Sequence, residues 1–272
     1  MKNLTTASLT LKSQPSNGPG HESEASAQTA PPDQAPESGR LAGSIQTPAA
    51  LTPAQRDRMV VLLGGYFTNV TRSHFEADLA EKEWVVLLTD AATGQIQGFS
   101  TLMRLETRVD GQPIVAFFSG DTIIARDYWG ETELPRLWGR HVFDLAAAIP
   151  DIPAYWFLIS SGYKTYRFLP VFFREFYPTY RCPTPPQLKR RLDALAQLKF
   201  PATYDPDQGL IRFDTPAPLR PGVAAITEQR LKNPHVAFFV AANPGHVHGD
   251  QLASLVELSE ANLTTAGRRM LK

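Results

Sequence analysis

The chain has 272 residues, and its 27 lysines and arginines are balanced by 27 aspartates and glutamates. With zero formal net charge, no overall field draws it to nucleic acid or to an anionic membrane. The one cysteine, Cys182, excludes an intrachain disulfide and a cysteine metal cluster. No apolar run approaches the ~18 residues of a membrane span. Lys2 is followed by mixed polar residues rather than by the apolar run of a signal peptide. A cytoplasmic protein with no membrane span and no nucleic-acid partner is expected.

Residues 1–50 are rich in Ser, Thr, Pro, Gly, Gln and Ala and include PSNGPG and APPDQAPESG. So few large apolar residues cannot offset the entropy of ordering, and the segment reads as a disordered tail. Thr52-Pro53-Ala54-Gln55 is a helix start, with Thr as N-cap, Pro in the first turn and Gln three residues on. Ser73 to Glu76 (SHFE) reads as a second capping box. Residues 84–89 (WVVLLT) read as a buried strand, residues 96–107 as the next, and Asp110-Gly111 as a hairpin turn into residues 114–125. A turn through residues 126–132 leads to an amphipathic helix over residues 134–149. After the break at Pro150 and Pro153, residues 155–160 (YWFLIS) form a strand with no polar alternation, as expected of one buried on both faces. Because a full helix joins it to the preceding strand, the two are expected to be parallel. Residues 163–173 are expected to be helical and broken near Pro170, with a possible strand over 176–181. A helix follows Thr184-Pro185-Pro186-Gln187, then an extended loop over 201–222. The apolar run VAFFVA at residues 236–241 reads as a strand, and residues 250–256 lead into the last elements.

The strand–turn–helix of residues 117–148 organises this order. Its helix start presents unpaired amides, a common anion-binding arrangement. The order over residues 51–180 resembles the GNAT acyltransferase superfamily, most closely at Ile124, Ala125, Arg126, Asp127, Tyr128, Trp129, Gly130, Glu131 and Thr132. In that family the matching turn carries arginine or glutamine with two or three glycines and holds the pyrophosphate of acyl-CoA. Here Gly130 fits the first glycine, Thr132 and Leu134 stand where later ones fall, and Trp129 stands where a basic residue is frequent. The resemblance implies an α/β fold, a mixed sheet flanked by helices over residues 51–181, with residues 182–272 as a C-terminal extension packed on or continuing the same domain. It also implies acyl-CoA as co-substrate, held by Ile124, Ala125, Arg126, Trp129, Gly130, Glu131 and Thr132. Two features of the residues oppose that role: Glu131 and Glu133 would repel a pyrophosphate, and Pro135 lacks an amide donor. Arg126, Arg136 and Arg140 are available to compensate.

In the family, transfer takes place where the strand before the turn splays from the next parallel strand. The matching residues here are Ser119, Gly120 and Asp121 on one side and Ser160, Ser161, Gly162 and Tyr163 on the other. Asp121, the one carboxylate in PIVAFFSGDTII, reads either as a general base whose pKa is raised by burial or as a bulge residue beside Gly120. Ser119, Ser160 and Ser161 are candidate substrate contacts. The family's general-acid tyrosine aligns with Phe172, so Tyr163 or Tyr166 is the candidate acid, the other reading being packed, hydrogen-bonded tyrosines. His246 and His248 have no evident third ligand, so no metal is expected. There is no serine-nucleophile elbow, P-loop or GxGxxG. The expected function is acyl transfer from acyl-CoA or an acyl carrier protein to an amine or hydroxyl of a small molecule. The alternative is a non-catalytic binding or scaffold protein that keeps the fold and has lost CoA.

Overall fold

A computed structural model describes residues 41–272. Its centre is a mixed sheet of eight strands. In chain order these are β1 (Leu41–Gln46), β2 (Trp84–Asp90), β3 (Ile96–Val109), β4 (Gln112–Ile124), β5 (Ala154–Ser160), β6 (Tyr204–Asp205), β7 (Leu210–Ile211) and β8 (Gln251–Glu257). Across the sheet they run β1-β2-β3-β4-β5-β8-β7-β6. Only β4 and β5 pair in parallel; the other neighbours are antiparallel. The fold is thus of the mixed α/β class, and the C-terminal β8 continues the sheet directly beside β5. No helix among the described residues is long and apolar enough to cross a membrane.

The local chemistry of the sequence explains most element boundaries. Helix α1 (Pro53–Tyr66) starts on a complete capping box: Thr52 accepts from the Gln55 amide while the Gln55 side chain accepts from the Thr52 amide. Asp110 and Gly111 both take positive φ, 52° and 78°, the pair of values that a two-residue turn matched to strand twist requires. Between β4 and β5 lies α3 (Glu133–Ala147), which buries Leu134, Trp138, Gly139 and Val142 on one face of the sheet. Pro170 falls inside α5 (Phe168–Phe172), separated by a bend at Arg167 from α4 (Tyr163–Tyr166).

Five expectations are corrected. Residues 41–50 are not tail: Leu41–Gln46 pairs in register with residues 85–90, and residues 1–40 lie outside the described ones. Six residues with only Leu41 and Ile45 as large apolar side chains suffice for an edge strand when a neighbouring strand supplies the hydrogen bonds. The second helix, α2 (Arg72–Ala80), is capped by Thr71 rather than Ser73. Residues 236–241 are not a strand but the middle of α8 (Pro234–Ala242), started by Asn233, which accepts from the His235 amide at 3.0 Å, and by Pro234 at the first position. A short apolar run does not distinguish strand from helix, and here the Asn-Pro start decides. Residues 176–181 make only isolated bridges, Tyr177 to Leu255 and Thr179 to Cys182. The loop of residues 201–222 contains the β6–β7 hairpin. The remaining helices are α6 (Pro186–Lys199), α7 (Glu228–Leu231) and α9 (Thr265–Met270).

Side-chain alternation along β4 sets up the site. Val115 and Phe117 face the cluster built with Trp138 and Val142 of α3, while Ala116 and Phe118 face the cluster under Leu192 and Leu195 of α6. Past Ser119 the parity reverses. Ile123 packs with Met59 and Phe75 of α1 and α2, and Ile124 packs on the α3 side with Leu134. The reversal comes from a bulge: Ser119 opposes Leu102 and Thr122 opposes Ser100, so two residues, Gly120 and Asp121, stand opposite Thr101 alone. Asp121 is thereby aimed to the α1–α2 face rather than at α3.

The edge strand gives a direct test of this arrangement. Leu41 is buried, which alone is worth about 1.5–3 kcal/mol. A chain shortened to begin at Thr47 is expected to melt several degrees lower, at about 2–4 °C per kcal/mol for a domain of this size. Unchanged thermal melting by circular dichroism would contradict a structural role for β1.

Candidate active site

The parallel ladder of β4 and β5 ends at the pair Ser119–Leu158. Beyond it β4 stays with β3 through Gly98–Ile124, and β5 stays with β8 through Ser160–Leu252. The strands therefore part, and Ser119 sits at the crotch. Its side chain is buried, and its Oγ accepts two indole hydrogen bonds, from Nε1 of Trp138 at 3.1 Å and from Nε1 of Trp156 at 2.9 Å. The two indoles lie 4.4 Å apart between ring centres. One hydroxyl thus ties α3 to both parting strands.

On the α3 side the gap opens into a groove of about 720 Å³. Its walls include Ile124, the turn residues Trp129, Gly130, Glu131 and Thr132, the start of α3 and the faces of α4 and α5. Gly130 takes φ 106°, a left-handed value that suits glycine, and a side chain there would meet nothing. Pro135 contributes no amide, so the helix start offers the amides of Thr132, Glu133 and Leu134. Three cations, Arg136, Lys164 and Arg269, line the groove against one carboxylate, Glu131. Arg136 also reaches Glu133 at 2.9 Å. Trp129 donates from Nε1 to the Ile124 carbonyl at 2.8 Å, which lays its ring under the Lys164 ammonium, 3.5 Å from the ring centre. Burial, together with Arg230 and Arg126, pushes the Lys164 pKa down.

On the opposite face lies a cavity of about 600 Å³, lined by Asp121, Asp78, Ser161, His74 and Lys199 among others. The bulge brings Asp121 here. Burial pushes its carboxyl up to about 7, Asp78 adds to the rise, and Lys82 opposes it. Asp121 keeps some surface open to the cavity, but packed protein surrounds it. The Lys82 side chain is fully buried. Its Nζ donates to Asp78 Oδ1 at 2.6 Å and to the Asp78 carbonyl at 2.9 Å. A Cβ at residue 120 would sit 2.7 Å from Lys82 Cε and 2.5 Å from Thr101 Oγ1, so glycine at the bulge lets the lysine pass. Thr122, Gly162 and Thr165 line both the groove and the cavity.

The expected site residues are only partly brought together. Asp121 and Ser161 line the cavity, Ser119 floors the gap, and Ile124, Trp129, Gly130, Glu131 and Thr132 line the groove. Ala125 and Arg126 do not line it, although the Arg126 guanidinium lies 5.4 Å from the Trp129 ring centre. Ser160 is buried, with a hydroxyl that has no partner. Neither tyrosine reaches the gap. Tyr163 is buried with the Arg230 guanidinium over its ring. Tyr166 is fully buried against Phe176, Phe238 and Phe239, donates to the Pro178 carbonyl at 2.9 Å, and has its pKa pushed up by burial. The reading as a packed, hydrogen-bonded tyrosine describes Tyr166, while Tyr163 is packed. Thr165, one residue before Tyr166, turns to the gap instead. Sequence reasoning also passed over Asp78, Lys82, Trp138 and Trp156. Asp78 and Lys82 lie some forty residues from Asp121, with no motif to join them.

No family model and no curated protein matches the chain. Solved structures do. A probable N-acyltransferase from Enterococcus faecalis is 14% identical over 50% of this chain and 33% of its own, at a TM-score of 0.37. A Trypanosoma brucei acetyltransferase is 16% identical over 53% of this chain and 99% of its own, also at 0.37. A GNAT family N-acetyltransferase from Escherichia coli in complex with CoA is 16% identical over 47% and 67%, at 0.33. These solved structures are of the GNAT acyltransferase kind. This chain spans a third of the first of them, and likeness at such scores assigns it no activity.

The raised carboxyl predicts a stability effect whose sign follows from linkage. Folded Asp121 holds its proton up to about 7, whereas an unfolded aspartate loses it near ~3.9. The folded state therefore binds more protons across that window, and stability falls as pH rises through it. Asp121→Asn removes this penalty. Its melting temperature is expected to exceed that of the parent chain above pH 7 and to match it near pH 4. A variant less stable than the parent at pH 8 would contradict the burial assigned to this carboxylate.

Proposed function

We propose that the protein transfers an acyl group from an acyl-CoA thioester to an amine or hydroxyl of a small molecule. One observation carries this reading. The parting of β4 and β5 opens to both a groove that begins at a helix N-terminus and a cavity that holds a raised carboxylate, with Thr122, Gly162 and Thr165 common to both. Two substrates entering from opposite faces would meet at that gap.

The groove's residues fit a CoA-like donor. The amides of Thr132, Glu133 and Leu134 with Arg136, Lys164 and Arg269 suit a pyrophosphate, the three cations outnumbering Glu131. The apolar stretch past Leu134, Phe168 and Phe172 suits an uncharged pantetheine arm. When bound, acyl-CoA supplies an activated thioester, whose C–S bond breaks as the new C–N or C–O bond forms. Asp121, ionised, accepts the proton that the attacking nitrogen or oxygen must lose. It then releases that proton through water to the departing thiolate. A thiolate is a weak enough base to leave without a side-chain acid, consistent with Phe172 at the gap and with both tyrosines elsewhere. A carboxylate raised by burial is both ionised at working pH and basic enough for this task.

A second reading, a binding protein without turnover, draws on Pro135 and Glu131 at the helix mouth. Two measurements decide between them. Acyl-CoA at millimolar concentration is expected to raise the melting temperature of the full chain, since a ligand of the native state alone must do so. Product formation from an amine panel is expected to rise with pH through about 7 as Asp121 deprotonates. Asp121→Asn is expected to lower turnover by about 10²-fold or more while keeping the thermal shift. No shift with any acyl-CoA would reject the donor site and the transferase and favour the binding protein that has lost CoA, and a shift without turnover on any amine or alcohol would reject the transferase.

A further inference from the structure

Behind the gap, on the α3 side, lies a small cavity of about 40 Å³. Its walls are Trp138, Trp156, Leu158, Phe168, Phe172 and Met270, with Ser119 at the floor. Thr122, Leu134, Thr165, Phe168 and Phe172 are shared with the groove, so the cavity is the groove's deep end.

Its polar side chains other than Thr165 are engaged with one another. Both indole N–H groups are spent on Ser119 Oγ, and Ser100 Oγ and Thr122 Oγ1 lie 2.8 Å apart as a hydrogen-bonded pair. A buried water needs two to four polar partners. With the indole donors and the Ser100–Thr122 pair already engaged, the space suits hydrocarbon better than water. At about 10–15 Å³ for each water-sized atom, it holds about three heavy atoms.

We propose that this cavity receives the acyl chain of the donor, and that the preferred acyl group is a short unsubstituted chain of butyryl size rather than acetyl. The inference rests on the transferase reading above, because it needs a thioester carbonyl at the gap beside Ser119. From that position the acyl chain lies along the Trp138 and Trp156 surfaces toward Met270. Phe172 and Phe168, stacked with ring centres 6.1 Å apart, form one side wall of this deep end.

The test is isothermal titration calorimetry of the full chain with CoA, acetyl-CoA, butyryl-CoA and octanoyl-CoA. Each methylene moved from water to an apolar site tightens binding about fourfold. Butyryl-CoA is therefore expected to bind about fifteenfold tighter than acetyl-CoA, and octanoyl-CoA no tighter than butyryl-CoA. Phe172→Ala, which opens the wall, is expected to shift the optimum to longer chains. If CoA binds but acetyl-CoA binds as tightly as butyryl-CoA, the acyl pocket is overturned and the donor site stands. Affinity that keeps rising through octanoyl-CoA overturns it too, since the chain would then lie in the groove. If none of the four binds, the transferase reading fails and the pocket with it.

Discussion

The structure around the gap depends on one hydroxyl. Ser119 stands on the last register pair of the parallel ladder and accepts from Trp138 on α3 and Trp156 on β5. These are the only hydrogen bonds the two indoles make among the described residues. A buried indole N–H without a partner is costly, so the two donors hold helix and strands at fixed spacing where the backbone ladder no longer does so. The parting of β4 from β5 is thus braced rather than loose. Everything proposed for the gap, the donor groove, the acceptor cavity and the acyl pocket, is measured from that brace.

The second constraint is the bulge at Gly120 and Asp121. Without it, strict alternation would carry Asp121 to the α3 face, beside the donor groove. The extra residue reverses the parity and sends the carboxylate to the α1–α2 face, where Asp78 and Lys82 meet it. Glycine precedes it because the Lys82 chain crosses at that point. The proposed separation of donor and base onto opposite faces rests on this one residue inserted in one strand.

Much of this was legible in the sequence. The capping box at Thr52, the Asp110-Gly111 turn and the helix between two parallel strands all follow from local rules that tertiary contacts did not override. Where the reading failed, the deciding information was not local. Residues 41–46 look like tail because an edge strand borrows its stability from its neighbour. Residues 236–241 look like a strand because a short apolar run is silent on its period, and the helix start that decides lies just before it at Asn233-Pro234. Tyr163 and Tyr166 are near the gap in sequence, yet their i, i+3 spacing in α4 puts both on its buried face and leaves Thr165 toward the gap. Ser119 was read as a substrate contact and serves first as the anchor of two tryptophans, a role that depends on residues 19 and 37 positions away.

The central claim is that the gap between β4 and β5 is where a CoA thioester is held. It is tested most directly by mapping backbone amide shifts on titration of the labelled full chain with CoA. The account predicts that the perturbed amides cluster at the end of β4, at Gly130 to Leu134, and at Gly162 to Thr165. Saturable shifts confined to any other surface, or none at millimolar CoA, would contradict it.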